Sequence, residues 1–181
     1  MKSEQVKQAV VFCALVALAV TVRLVSETPN FNAVTAAALF AGFYFRSRVT
    51  ALCVPLAAMM LSDVFLGGYE KHVMAAVYGS MLIPIAWRSM LRAELSVARI
   101  GLGALASSLA FYVLTNGAVW YAWYPHSAAE LVHCYAVALP FFANGLAGDV
   151  LFTTAFFGSY ALVTWAKTTS VPAVHTAASV A

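Results

Sequence analysis

Charge is what this sequence has least of. Of 181 residues only 9% are charged while 63% are hydrophobic, against about 25% and roughly 45–50% in a soluble domain. That shortage excludes an ordinary water-soluble fold, because too little polar surface exists to cover the apolar remainder. Cysteine is also sparse. Cys13, Cys53 and Cys134 fall in separate apolar segments, none in a C-x-x-C pair, so no disulfide framework is read and all three are expected to act as small packing residues. The chain lacks G-x-x-x-x-G-K-[ST], G-x-S-x-G, H-E-x-x-H and C-x-x-C-H. With them go the phosphate-binding loop, the nucleophile elbow, the zinc-protease helix and c-type haem attachment. The expectation is a protein that is not an enzyme and uses no cofactor. Long alternating segments are missing too, which argues against a membrane β-barrel. The net charge of +3 comes from basic residues scattered beside apolar runs. They read as topology determinants, with no nucleic acid as partner.

What the sequence does have is apolar runs of spanning length, a bilayer crossing taking roughly 20 residues. Six are read, over 9–25, 31–45, 49–66, 73–87, 100–120 and from 135 or 140 to 165. The fold class is therefore an all-α membrane protein, a bundle of about six transmembrane helices. One domain covers 1–166, and 167–181 is read as a flexible tail. The second and fourth runs are short, roughly 22 Å at the helical rise. Residues 121–134 read as a loop with a short amphipathic helix in the interface. With the N-terminus inside, Lys2, Lys7, Arg46, Arg48, Arg88, Arg92, Arg99 and Lys167 lie on the inner side, and only Arg23 and Lys71 on the outer. That bias predicts a multi-pass protein of the cytoplasmic membrane with both termini cytoplasmic.

Polar groups inside spans are costly and carry the functional reading. Under this topology Asn30, Asn32, Asp63, Asn116 and Asn144 all fall in outer halves of spans. Together they predict an outward-facing pocket for a small polar solute, since amides both donate and accept hydrogen bonds. The 121–134 loop would roof it, with Trp123 and Tyr124 over its apolar part. Asp149 lies deeper and is expected to fix helix packing or carry a proton. His72, His126, His133 and Cys134 also collect on the outer side, at no convincing ligand spacing, and no metal site is expected. Small residues form one stripe at Ala9, Cys13, Ala17 and Thr21, and another at Ala33, Ala37 and Ala41. Such faces let helices approach closely. Packing within the bundle is the expected use, and docking of another membrane subunit on Ala9, Cys13 and Ala17 is the alternative.

Several blocks then carry a resemblance. They are Pro29-Asn30-Phe31-Asn32-Ala33-Val34, Ser62-Asp63-Val64-Phe65-Leu66-Gly67, Leu114-Thr115-Asn116-Gly117-Ala118-Val119-Trp120, and Cys134-Tyr135 through Pro140-Phe141-Phe142 to Gly148-Asp149. In this order they resemble a family of small bacterial integral membrane proteins of uncharacterised function that carry a transport label. More distantly the chain is similar to the S components of energy-coupling-factor vitamin transporters. The resemblance implies six helices, an outer-side pocket and a small-residue face on the first helix. The function expected is membrane transport, or substrate capture for a transporter, acting on a small solute in the lipid bilayer. The alternative is a non-catalytic accessory or scaffold subunit of a larger membrane complex.

Overall fold

The structure, a computed structural model, describes residues 2–169. All of its regular structure is helical: α1 (Lys2–Val25), α2 (Val34–Tyr44), α3 (Arg48–Leu66), α4 (Lys71–Ser80), a 3₁₀ turn (Ile83–Trp87), α5 (Arg88–Ala93), α6 (Val97–Trp123), α7 (Ala128–Val137) and α8 (Leu139–Thr169). Five stretches are long and apolar enough to cross a membrane: α1, α3, the run Lys71–Ala93, α6 and the run Ala128–Thr169. The shorter α2 is the sixth member of an all-α membrane bundle.

α2 sits at the centre. Every residue from Val34 to Gly42 is buried, with Ala33, Ala37 and Ala41 at 0% exposure. A helix apolar all round has to be sheathed, and α1, α3, the 3₁₀ turn, α5, α6 and α8 all contact it. Its small residues set how near these neighbours come. A methyl on Gly42 would stand 3.2 Å from Ile85 Cα, so glycine there lets the 3₁₀ turn lie on α2. The stripe Ala33, Ala37 and Ala41 thus packs inside the bundle. The α1 stripe does not: Ala9, Cys13, Ala17 and Thr21 are all exposed, and α1 packs through Leu15, Val16 and Ala19 instead. Close packing of that stripe within the chain is therefore overturned. Cys13 and Cys53 also face outward, and only Cys134 is a buried packing residue.

Other boundaries move for local reasons. The fourth run extends to Ala93 and tightens into the 3₁₀ turn at Pro84, which has no N–H for an α-helical bond. α6 continues to Trp123, leaving only 124–127 as loop. Ser127 then opens α7 by accepting from Glu130 N, the Ser-x-x-Glu spacing of a capping box. Pro140 cannot donate to the Ala136 carbonyl, the Ala138 N–H turns back to the Tyr135 carbonyl at 3.2 Å, and α7 breaks from α8 there. α8 reaches Thr169, so residues 167–169 of the expected tail are helical, and the remainder of that tail lies outside the described residues.

The bundle has two ends. One holds the connections 26–33, 67–70 and 124–127 and is called the Asn30 end below. At the other, arginines close the C-terminus of α2, whose last carbonyls have no partner in their own helix. Arg88 donates to the carbonyls of Gly42, Phe45 and Arg46, and Arg92 to those of Phe43 and Tyr44. Rings clamp the same end of α2 to α8, with centroids 5.2 Å apart for Phe40–Phe157 and 5.1 Å for Phe43–Tyr160. Arg88→Met should lower stability by about 2 kcal/mol or more, the scale of charge-assisted hydrogen bonds. Exposed Arg48→Met should stay within about 0.5 kcal/mol of the parent. Thermal unfolding in one detergent checks both, and equal behaviour of the two variants would refute the cap.

Candidate functional site

The N-terminus of α2 is reached by irregular backbone. Residues 26–33 leave α1 and double back, with Phe31 N donating to Thr28 O at 3.2 Å. Asn30 takes the left-handed conformation at φ 63°, which asparagine tolerates better than other side chains. Asn32 then works in both directions. Its Nδ2 donates to Asn30 O at 3.0 Å, and its Oδ1 accepts from Val34 N at 2.9 Å, capping α2. Non-helical backbone at membrane depth persists only where protein buries it or it lines a cavity. Here α8 supplies the cover. A methyl on Gly148 would stand 2.9 Å from Asn32 O, and one on Gly145 3.6 Å from Asn30 O. Asn144 Nδ2 donates to Pro29 O at 3.2 Å, and the Phe31 and Phe152 rings lie 5.8 Å apart.

Between this segment, α6 and α8 runs a cleft of about 390 Å³, lined by Asn30, Asn32, Thr35, Met81, Ser108, Phe111, Tyr112, Asn116, Phe141, Phe142, Gly145, Leu146 and Asp149. It is narrow, and part of that volume is open to solvent. A neighbouring hollow of about 580 Å³ shares Asn30, Asn32, Met81 and Phe111 and adds Arg23, Met59, Tyr69 and Val77.

Asp149 forms the inner wall of the cleft, 4% exposed. It lies about 15 Å along the axis from the start of α8 at roughly 1.5 Å per residue, inside the apolar run Ala128–Thr169. Ser108 Oγ stands 2.6 Å from Asp149 Oδ2 and 3.0 Å from Ala104 O. One hydroxyl hydrogen cannot serve both. It goes to Asp149 when the carboxyl is ionised, and to Ala104 when a protonated carboxyl donates to Oγ. The nearby N-terminus of α2 favours negative charge by about 0.3–1 kcal/mol, at most about 2. A carboxylate at the centre of a span costs about 2.5–3.5 kcal/mol on the insertion scale. The helix end therefore leaves part of that cost uncovered.

Of the residues predicted to line a pocket, Asn30, Asn32 and Asn116 come together in this cleft. Two do not. Asp63 is committed elsewhere: Arg23 Nη1 donates to it at 2.5 Å and also to Ser62 Oγ, and Tyr78 Oη donates to its other oxygen at 2.7 Å. It latches α1 and α4 to α3. Asn144 lies on a neighbouring face of α8 and serves the 26–33 backbone. Trp123 and Tyr124 line neither hollow, so the expected aromatic roof is replaced by walls of Phe111, Tyr112, Phe141 and Phe142. Sequence reasoning missed Thr35 and Ser108, and placed Asp149 behind the pocket.

The wall beside Asn116 is braced by α7. Tyr112 Oη donates to Tyr135 O and Tyr135 Oη to Val113 O, each at 2.6 Å, and Cys134 Sγ lies 3.6 Å from Asn116 O. At the mouth of the neighbouring hollow, burial lifts the Tyr69 phenol above its ordinary value, the Asp63 carboxylate adds to this and Arg23 opposes it. The Val73 N–H holds the Glu70 carboxyl below its ordinary value, against burial and with help from His72. His72 bonds Glu70 at 2.6 Å, His126 stacks on Tyr121 and His133 lies against Tyr124. Among the described residues no three His, Cys, Asp or Glu side chains are grouped to hold a metal.

Two substitutions separate latch from cleft. Gly148→Ala should push the Asn32 backbone off α8 and cost about 1–3 kcal/mol, as overpacking does. Asp63→Asn should also cost stability, through loss of the Arg23 pair, while leaving any ligand affinity within about twofold, under roughly 0.5 kcal/mol. Unfolding midpoints for both, and a binding isotherm for the second, check these outcomes.

Searches of curated proteins and of solved structures match nothing. A family model described as a family of unknown function does match, over residues 3–174. With nearly all of its 181 residues covered, the chain belongs to that family, DUF6580.

Proposed function

We propose that this chain is a membrane transport protein, or the solute-capturing subunit of one, and that the cleft at the Asn30 end is where a small polar solute is held. One observation carries the reading. A buried carboxyl group, Asp149, stands at the inner wall of a cleft within an apolar helical bundle, and the same cleft is lined by Asn30 and Asn116. Polar groups are expensive in a membrane interior and persist there chiefly for a task. An unwound segment ahead of a short helix is also how many transporters build a midplane site. The sequence resemblance to transport-labelled proteins and S components points the same way, as a fold-level analogy. On this reading the protein is not an enzyme. The basic-residue bias puts the Asn30 end outside and both termini in the cytoplasm.

A second reading, an accessory or scaffold subunit of a larger membrane complex, is favoured by the α1 stripe. Ala9, Cys13, Ala17 and Thr21 are exposed, and a small-residue face left uncovered suits a helix of another subunit.

Three measurements test these readings. Native mass spectrometry of gently purified protein should find a retained small molecule. Asn116→Leu should weaken its binding by more than about tenfold, or about 1.4 kcal/mol, with the fold intact. Retention of no solute, together with a complex that dissolves in Ala17→Leu, would favour the scaffold. Alkaline phosphatase fused after Lys167 should be inactive, and high activity there would reverse the orientation.

A further inference from the structure

We propose that the cleft takes a small organic ammonium ion, its positive charge on Asp149 and its hydrocarbon body against Phe111, Tyr112 and Phe142. The inference rests on the solute-capture reading and names the chemical class of the solute.

Three features of the cleft lead to it. First, among the described residues Asp149 is the only one of the lining that can carry a full charge near neutral pH, and no described Lys, Arg or His lines the same cleft. The nearest basic residue in the adjoining hollow, Arg23, is spent on Asp63 and Ser62. Ser108 and Thr35 hydrogen-bond the carboxyl, and hydroxyl hydrogen bonds do not neutralise a charge. A buried carboxyl with no cation beside it either holds a proton or pairs with a cation that enters, and the rest of the lining favours the second. Second, the remaining titratable residue of the lining, Tyr112, has given its hydroxyl hydrogen to Tyr135 O, so its ring and not its oxygen faces the space. The Tyr112 and Phe142 rings lie 4.9 Å apart. Aromatic faces attract ammonium groups through their quadrupole, and quaternary ammonium recognition uses such walls. Third, the donor set does not suit a bare metal ion. Calcium takes about six to eight oxygens at close range and magnesium a near-ideal octahedron, whereas this cleft offers one carboxylate, three amides and three hydroxyls, most of them already hydrogen-bonded within the fold, among rings and the thioether of Met81. The amide oxygens of Asn30 and Asn116 remain suited to an N–H or O–H on the far side of the ligand.

The test uses the full chain purified in mild detergent. Radiolabelled choline and ethanolamine are the probes, in equilibrium dialysis. Competitors are 3,3-dimethylbutan-1-ol, the uncharged isostere of choline, and acetate. At least one ammonium probe should bind saturably. The neutral isostere should compete at least about tenfold more weakly, a difference of about 1.4 kcal/mol, and acetate not at all. Asp149→Asn should abolish the binding. Phe111→Leu, which leaves the carboxyl untouched, should weaken it severalfold. The isostere comparison needs no variant, so it decides even if Asp149→Asn does not fold. Equal competition by the isostere, or parental affinity in folded Asp149→Asn, would overturn the ammonium assignment and leave solute capture standing. Failure of both ammonium probes to bind would also overturn the ammonium assignment, and the native mass spectrum decides solute capture separately.

Discussion

A helix of 11 residues with no polar face is the constraint on which the rest of the molecule depends. At about 1.5 Å per residue α2 is roughly 16 Å long, about half the apolar thickness of a bilayer. It cannot reach both interfaces, so its two ends cannot both be wetted in the usual way. Everything around it compensates. Longer helices sheath it, alanines let them approach, and its terminal backbone groups are bonded to protein. At one end the acceptors are met by Arg88 and Arg92. At the other the donors are met only in part, by Asn32, and the irregular segment that brings Asn32 there opens the cleft. The cleft is thus a by-product of ending a helix inside the membrane.

The two aspartates illustrate how environment divides one residue type into two roles. Asp63 has a guanidinium and a phenol on its two oxygens, and its charge is satisfied within the fold. Asp149 has only the hydroxyls of Ser108 and Thr35 beside it, and it lines the cleft. The first closes three helices on one another, and the second leaves a demand that the protein does not meet from its own side chains.

Much of the architecture was legible in the apolar runs, because a bilayer imposes one length on every crossing. Boundaries drifted where a single residue overrides that rule, as Pro140 does between α7 and α8 and Ser127 at the start of α7. The cleft was half legible. Asn30, Asn32 and Asn116 followed from which half of each span faces which side. Asp63 lies outside the cleft because its partner Arg23, 40 positions away, holds it elsewhere, and no local pattern announces such a pair. Asn144 failed on rotation about the helix axis, which depth alone does not give. A usable signal for Asp149 was present. Gly145 and Gly148 precede it at helical spacing on α8, and Gly103, Ala104, Ser107 and Ser108 form a small face on α6. Two such faces mark where helices meet, and an acidic residue between them belongs to the space they enclose.

The attachment of α7 has a consequence for how freely this protein can vary. Both tyrosine bonds that seat it end on main-chain carbonyls, one in each direction. A carbonyl is the same whatever side chain its residue carries. The seating of α7 therefore specifies two phenols, the buried Cys134 and the glycine at 117 that makes room for the Tyr135 hydroxyl, and asks little of the residues on its outer face. Its outer face, where Val132 stands 69% exposed, is released from the task of holding the helix in place. Relatives can rewrite that surface, for a different lipid or a different neighbour, without disturbing the wall of the cleft beneath it.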